Sequence, residues 1–269
     1  MVNKDNIHKL IEAVRINKEN LPYVNLDSSG NYAGWVKNFH IYNRGTNEPI
    51  KLDLSLENDL FTLFALASCW SRTGQWENSA CFAVYLKMTH KDNPSFWLDV
   101  NEVRNEKQNR ESSVKNVLKQ YRIDKIDRKI SFRSDYYDSM KVLAESWDSI
   151  KEKLHESEIK NDYSIFISHI SNIEGLGTKN KKMKIKVPLL LRELRIQNVF
   201  KNIPGRWCCV PDQRVRKAAA IEVFSIPLPT NVTMQSILKS SEIIYDLFGD
   251  LYDIPLFAYD DLKYKLNLQ

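Results

Sequence analysis

Six residues, Tyr136, Met140, Leu143, Trp147, Ile150 and Leu154, recur at spacings of 4, 3, 4, 3 and 4. That period is helical, so the stretch 135–155 forms a helix with one long apolar stripe. Ser134 stands where an N-cap belongs. Such a stripe needs other helices to bury it, and the chain supplies them. Residues 58–70 (NDLFTLFALASCW) place Leu60, Leu63, Phe64 and Ala67 on one face, and Gly74 breaks the run. Residues 76–88 (WENSACFAVYLKM) form the next helix, joined through SRTGQW, a connection of helix–helix length. Residues 101–130 are polar with alternating sign and read as helix pieces.

The second half continues in the same manner. A short apolar helix covers 163–172. Pro188 opens PLLLRELRI at the first helical position, where a missing amide costs nothing. A further helix follows Asp212 (QRVRKAAAIEVF) and is ended by Pro227 and Pro229. Met234, Ile237, Leu238, Ser241, Tyr245 and Phe248 form the last stripe, with Gly249 as its C-terminal stop. Strand signals are sparse: residues 31–54 hold a hairpin or an irregular N-terminal layer. The fold class is mainly α, with at most a small irregular or β N-terminal layer.

Several functions are excluded early. Only eight glycines occur in 269 residues, and neither GxxxxGK followed by Ser or Thr nor GxGxxG is present, which disfavours a glycine-rich nucleotide fold. Cys69, Cys81, Cys208 and Cys209 form no CxxC pair, so packed thiols are expected rather than zinc or an iron–sulfur cluster. The five histidines, at 8, 40, 90, 155 and 169, are scattered, with no HExxH, and no GxSxG occurs. No cofactor and no metal are expected. No apolar run reaches 18 residues and the first 20 residues lack a signal-peptide core, so a cytoplasmic protein without membrane contact is expected.

Charge is unevenly placed. Between Ser171 and Lys217 stand seven lysines and five arginines against Glu174, Glu193 and Asp212, a balance of +9. The whole chain carries +5, so the remainder is at −4. A concentrated basic segment on an acidic remainder suggests a polyanion partner, with nucleic acid favoured by the spaced arginines.

The same segment carries the chemistry. It begins Ile173-Glu-Gly-Leu-Gly-Thr-Lys179, a glycine pair that makes a tight turn whose amides can approach phosphate. Then comes Lys186 at the mouth of an apolar helix, and later Pro211-Asp212-Gln-Arg214-Val215. The first stretch is similar to the L-P-G-V/I-G-x-K-x-A hairpin of the helix–hairpin–helix DNA glycosylase superfamily. The second is similar to its V-D-x-H/R-V. The Asp-x-Arg-Val form and the lysine directly before an apolar helix most resemble the archaeal 8-oxoguanine glycosylase branch. The segment 68–82 (SCWSRTGQWENSACF) resembles that branch's base-pocket loop. The pattern is not reproduced throughout. A basic insertion, NKKMKIK, separates the hairpin from the helix, proline replaces valine before Asp212, and no cysteine set for a cluster follows.

The resemblance covers about residues 58–225 and implies a single catalytic unit over 1–269. Within it, 58–165 would be a helical lobe and 166–226 a helix–hairpin–helix lobe, with the N-terminal segment and 230–269 packing around them. It implies a monomeric DNA N-glycosylase acting on double-stranded DNA with a modified base. The base would be an oxidised purine, for repair, or a hypermodified base of phage DNA, for antiviral defence. Asp212 and Lys186 are the candidate catalytic residues. Trp70, Trp76, Glu77 and Phe257 are candidates for the pocket of the flipped base. Gly175, Gly177, Lys179, Arg206 and Arg214 are candidates for DNA contact. Breaking the C1′–N bond puts positive charge on the sugar, and a fixed carboxylate stabilises it and orients water. An aspartate at a helix head is also a common structural cap. Lys186 is either an amine nucleophile giving strand cleavage or one more phosphate contact. The family lysine is Lys179 or Lys186. The competing class is a catalytically silent helical DNA-binding module.

Overall fold

The computed structural model describes residues 2–21, 24–34, 41–70, 76–123, 129–177 and 184–266. Among them the fold is mainly helical, with one two-stranded antiparallel sheet. In chain order the elements are α1 (Lys4–Asn17), β1 (Ile41–Asn43), α2 (Glu57–Cys69), α3 (Trp76–Met88), α4 (Pro94–Leu98) and α5 (Val100–Gln120). They continue with β2 (Tyr121–Ile123), α6 (Ser134–Lys160), α7 (Ser164–Ile170), α8 (Lys186–Ile196), α9 (Gln213–Ala219), α10 (Met234–Phe248) and α11 (Ile254–Leu262). The chain divides into two compact units: a central one, Val36–Lys186, and a terminal one built from Met1–Trp35 and Val187–Gln269.

In the central unit, α6 carries the stripe read from the sequence, and all six of its residues are buried. The stripe meets α2, where Phe61 and Phe64 set their ring edges against Trp147 at 5.0 and 5.5 Å. The Trp147 indole N–H donates to Glu57 at 2.9 Å, so the one polar atom of that ring is satisfied. A second aromatic cluster gathers around Phe82 of α3, with Phe132, Tyr136 and Tyr137 at 5.2–5.6 Å. Both α2 and α3 bury nearly their whole surface, which is why their composition is apolar on every side.

Several boundaries differ from expectation. The α6 N-cap is Arg133, and Ser134 is the first helical residue, so no side chain caps that end. The polar stretch read as helix pieces is, over Val100–Gln120, one 21-residue helix, α5, capped by Asp99, which accepts the Asn101 and Glu102 amides. β2 follows it directly, and residues 124–128 lie outside the described residues. β1 pairs with β2 in the register Ile41↔Ile123, Tyr42↔Arg122 and Asn43↔Tyr121. Among the described residues of 31–54, β1 also turns back on itself through an isolated antiparallel Tyr42↔Pro49 bridge, with the Ile50 amide donating to the Ile41 carbonyl. The Arg122 guanidinium lies 4.3 Å from the centroid of the Tyr42 ring, tying the two strands together on one face.

In the terminal unit, α10 buries Ile237, Ser241 and Phe248 of its stripe and ends at Gly249, whose φ of +55° suits glycine. α8 begins at Lys186, two residues before Pro188; the proline still lies in the first turn, where amides lack helical partners. α9 stops at Ala219 rather than running to Phe224. The chain turns there, Ser225 adopts φ +51°, and Phe224 and Ile226 are buried. Two elements unread in the sequence, α1 and α11, pack against each other. Asn6 of α1 ties in by donating to the Val223 carbonyl at 2.8 Å.

All four cysteines are buried, and none of them forms a disulfide. No described helix is long and apolar enough to cross a membrane.

Candidate functional site

Asp212 is the N-cap of α9. Its Oδ1 accepts the Val215 amide at 2.8 Å, and the side chain is half-buried. The loop that delivers it, 208–211, is fully buried and bonded from several elements. The Cys209 amide donates to the Ser241 hydroxyl of α10 at 2.8 Å. The Val210 amide donates to Asp253, just before α11, at 2.7 Å. The Arg216 guanidinium donates to the Pro211 carbonyl at 2.8 Å. Asp212 is therefore held by bonds on both sides of it, without a flexible loop between them.

Burial pushes the Asp212 carboxyl up to about 6, opposed by the Val215 amide bond, and the Asp253 charge pushes it the same way. A carboxylate that titrates there is ionised near neutral pH yet basic enough to accept a proton from water. That combination separates it from an ordinary cap, which hydrogen bonding and the helix dipole hold low. Beside it, Arg214 of α9 reaches Asp261 and lies over the Phe257 ring at 4.4 Å from its centroid. Thus Asp212, Arg214 and Phe257, three residues singled out from the sequence, come together on the α9–α11 pair.

The central unit holds the others except Arg206. After α7 the chain makes a compact turn. The Gly177 amide donates to the Ile173 carbonyl at 2.9 Å, and Gly175 has φ +92°. A Cβ on Gly177 would lie 2.2 Å from the Ser171 carbonyl oxygen, so only glycine lets the chain double back on the end of α7. Gly177 spends its amide inside the turn. Lys186 is completely buried, and its Nζ donates to the Ser68 carbonyl at 2.7 Å and the Gly175 carbonyl at 2.9 Å. It joins the glycine turn to the end of α2. Trp70 follows that end directly, its amide bonded to the Leu66 carbonyl. Trp70, Trp76 and Glu77 are all half-buried, at the facing ends of α2 and α3. Lys179 and the 71–75 connection lie outside the described residues.

No family model, curated protein or solved structure matches this chain. The site therefore stands on its own geometry.

Among the described residues, several cations of the basic segment are engaged inside the fold. Lys186 and Arg192 are buried. Arg195 donates to the Ile203 carbonyl, and Arg216 to backbone carbonyls. Arg214 pairs with Asp261, while exposed Arg206 stands 3.9 Å from Glu242 and over the Trp207 ring. Lys201 and Lys217 are exposed. A separate open cleft of about 860 Å³ runs beside α5 and the start of α6. Val114, Ile130 and Phe132 line it with Arg110, Lys115 and Lys129, and none of the residues singled out above lines it.

Two residues of the Asp212 environment were missed in the sequence: Arg192 and Asp253. Asp253 stands before Ile254-Pro255, a proline at a helix start that signals α11. Arg192 sits inside LLLREL, an apolar context that foretells burial better than surface exposure.

Proposed function

We propose that the protein is a monofunctional DNA N-glycosylase that extrudes a modified base and hydrolyses its C1′–N bond. The observation that carries this reading is Asp212: a half-buried carboxylate, raised to about 6 and fixed at the head of α9. As the C1′–N bond breaks, the base leaves with the electron pair and the sugar becomes cationic. The Asp212 carboxylate stabilises that cation and takes a proton from water, whose oxygen bonds to C1′. The departing base takes up a proton from solvent and Asp212 gives its proton back to solvent, so the products are the free base and an abasic site. The glycine turn between α7 and α8 supports a helix–hairpin–helix role in holding the DNA backbone. The aromatic faces offered to a flipped base are Trp70 and Trp76 in the central unit and, separately, Phe257 in the terminal unit.

The state of Lys186 favours hydrolysis over lyase chemistry. A nucleophilic amine needs a lone pair facing substrate. Here Nζ is completely buried and donates to two carbonyl oxygens of the fold. Lys186 thus anchors the turn.

The test is release of free base from duplexes carrying 8-oxoguanine, uracil or alkylated purines, and from phage DNA with modified cytosine, with duplex binding measured alongside. Release from any of them supports the reading. Binding without release from all of them means a DNA-binding module instead.

Salt dependence checks the DNA partner independently. Among the described residues, Lys184, Lys201 and Lys217 are the phosphate candidates left once the buried and engaged cations are set aside. Lys179, Lys181 and Lys182 are candidates from the sequence alone and lie outside the described residues. With about four to six phosphate contacts, the slope of log affinity against log salt is expected at roughly −4 to −5. A slope near zero removes nucleic acid from the account.

A further inference from the structure

We propose that Asp253 is a positioning residue for Asp212, holding the loop that carries it and keeping a fixed negative charge behind it. The inference rests on the reading of Asp212 as the carboxylate that acts at the sugar. One Asp253 oxygen, Oδ1, accepts both the Val210 amide and the Arg192 guanidinium, each at 2.7 Å. Val210 lies two residues before Asp212, and the Asp212 amide donates back to the Val210 carbonyl at 2.8 Å. The chain of contacts therefore runs Arg192, Asp253, Val210, Asp212.

This cluster is costly to build. Arg192 and Asp253 are nearly inaccessible, and Glu193, 3.6 Å from the Arg192 Nε, is completely so. Arg192 also lies 4.9 Å from the centroid of the buried Tyr32 ring. Replacing a buried ion pair by apolar residues often leaves stability unchanged or improved, so stability alone does not explain its presence. A role in placing and tuning the neighbouring carboxylate does. Asp253 helps push the Asp212 carboxyl up, which is what a base working near neutral pH requires.

The other charges around Asp212 do not supply that push. Arg214 on α9 works against it, and Asp261 on α11 pairs with Arg214. Burial pushes the Arg216 guanidinium on α9 down from its usual range, and the Asp212 charge works against that. Arg192 and Glu193 on α8, with Tyr32, surround Asp253.

Asp253→Asn keeps an oxygen that can accept both bonds and removes only the charge. The Asp212 carboxyl is followed by carbon-detected NMR titration, and base release is measured against pH in single turnover. The titration midpoint of Asp212 is expected to fall by about one pH unit, and the acid limb of the rate to move down with it. Duplex binding at neutral pH should stay as in wild type. A midpoint that does not move overturns the proposal. A midpoint that falls while wild type releases no base leaves Asp253 in its role and removes the glycosylase reading. Should Asp253→Asn fail to fold because it strands the Arg192 charge, the Arg192→Gln/Asp253→Asn pair removes both charges and is read the same way.

Discussion

Asp212→Asn is expected to bind duplex DNA as wild type does and to release base about 10²–10³-fold more slowly. Asparagine caps a helix as well as aspartate, so its oxygen can still accept the Val215 amide and α9 keeps its place. What disappears is a charge facing the developing sugar cation and an acceptor for the proton of water. Stability should move the other way. The folded protein raises the Asp212 carboxyl from 3.8 to about 6, so it binds that proton more tightly than the unfolded chain does. Ionising Asp212 therefore costs stability as pH rises from about 4 to about 6, and the cost persists above. Asparagine removes it. At pH 7.5 the variant should be more stable than wild type, by up to about 3 kcal/mol, and the gain should vanish near pH 4. Urea midpoints at the two pH values read this directly. A variant that is less stable at pH 7.5 makes Asp212 a structural cap, and equal rates of release make it a bystander.

That Asp212 could be found in the sequence, and Asp253 could not, follows from where the information lies. Asp212 announces itself locally: a capping residue ahead of an apolar-periodic run, inside a basic segment. Asp253 matters because of Val210 and Arg192, both far away along the chain, and no local pattern carries such pairings. The same division runs through the fold. α2, α3, α6 and α10 are legible because each has either a period near 3.6 or apolar residues on every side. α11 was not read: it buries Ile254, Pro255, Leu256, Ala258 and Leu262 in nine residues, too short a run to separate from a buried loop. α5 has only four buried residues in twenty-one, so hydrophobic pattern says little and the Asp99 cap says more. β1 and β2 lie far apart along the chain, so their pairing is made only in the folded chain. The basic count needs the fold beside it for a related reason. Sequence gives the number of cations, whereas burial and carbonyl partners decide how many remain at the surface.

Lys186→Met should cost roughly 3–5 kcal/mol of unfolding free energy, a large share of what holds a domain of this size together. Methionine fills much of the space of the lysine stem but donates nothing. The Ser68 and Gly175 carbonyls would be left buried without that donor, at about 1–3 kcal/mol each. The sign of the change is the decisive part. Residues kept for chemistry are commonly a burden on stability, so replacing a poised nucleophilic amine leaves a protein as stable or more so. Replacing an anchor does the reverse. Borohydride treatment during base release supplies the chemical half of the test. A lysine attacking C1′ would form a Schiff base that borohydride reduces to a permanent adduct. With Lys186 committed to its two carbonyls, wild type should release base with no trapped protein and no nicked strand. An adduct that Lys186→Gln abolishes, in a variant still folded, would make Lys186 the nucleophile and end the monofunctional reading. An adduct that survives it would turn attention to Lys179. A marked loss of stability with no adduct leaves the two lysine bonds as what they look like in the fold: the clamp that fastens the glycine turn to the end of α2, two residues before Trp70.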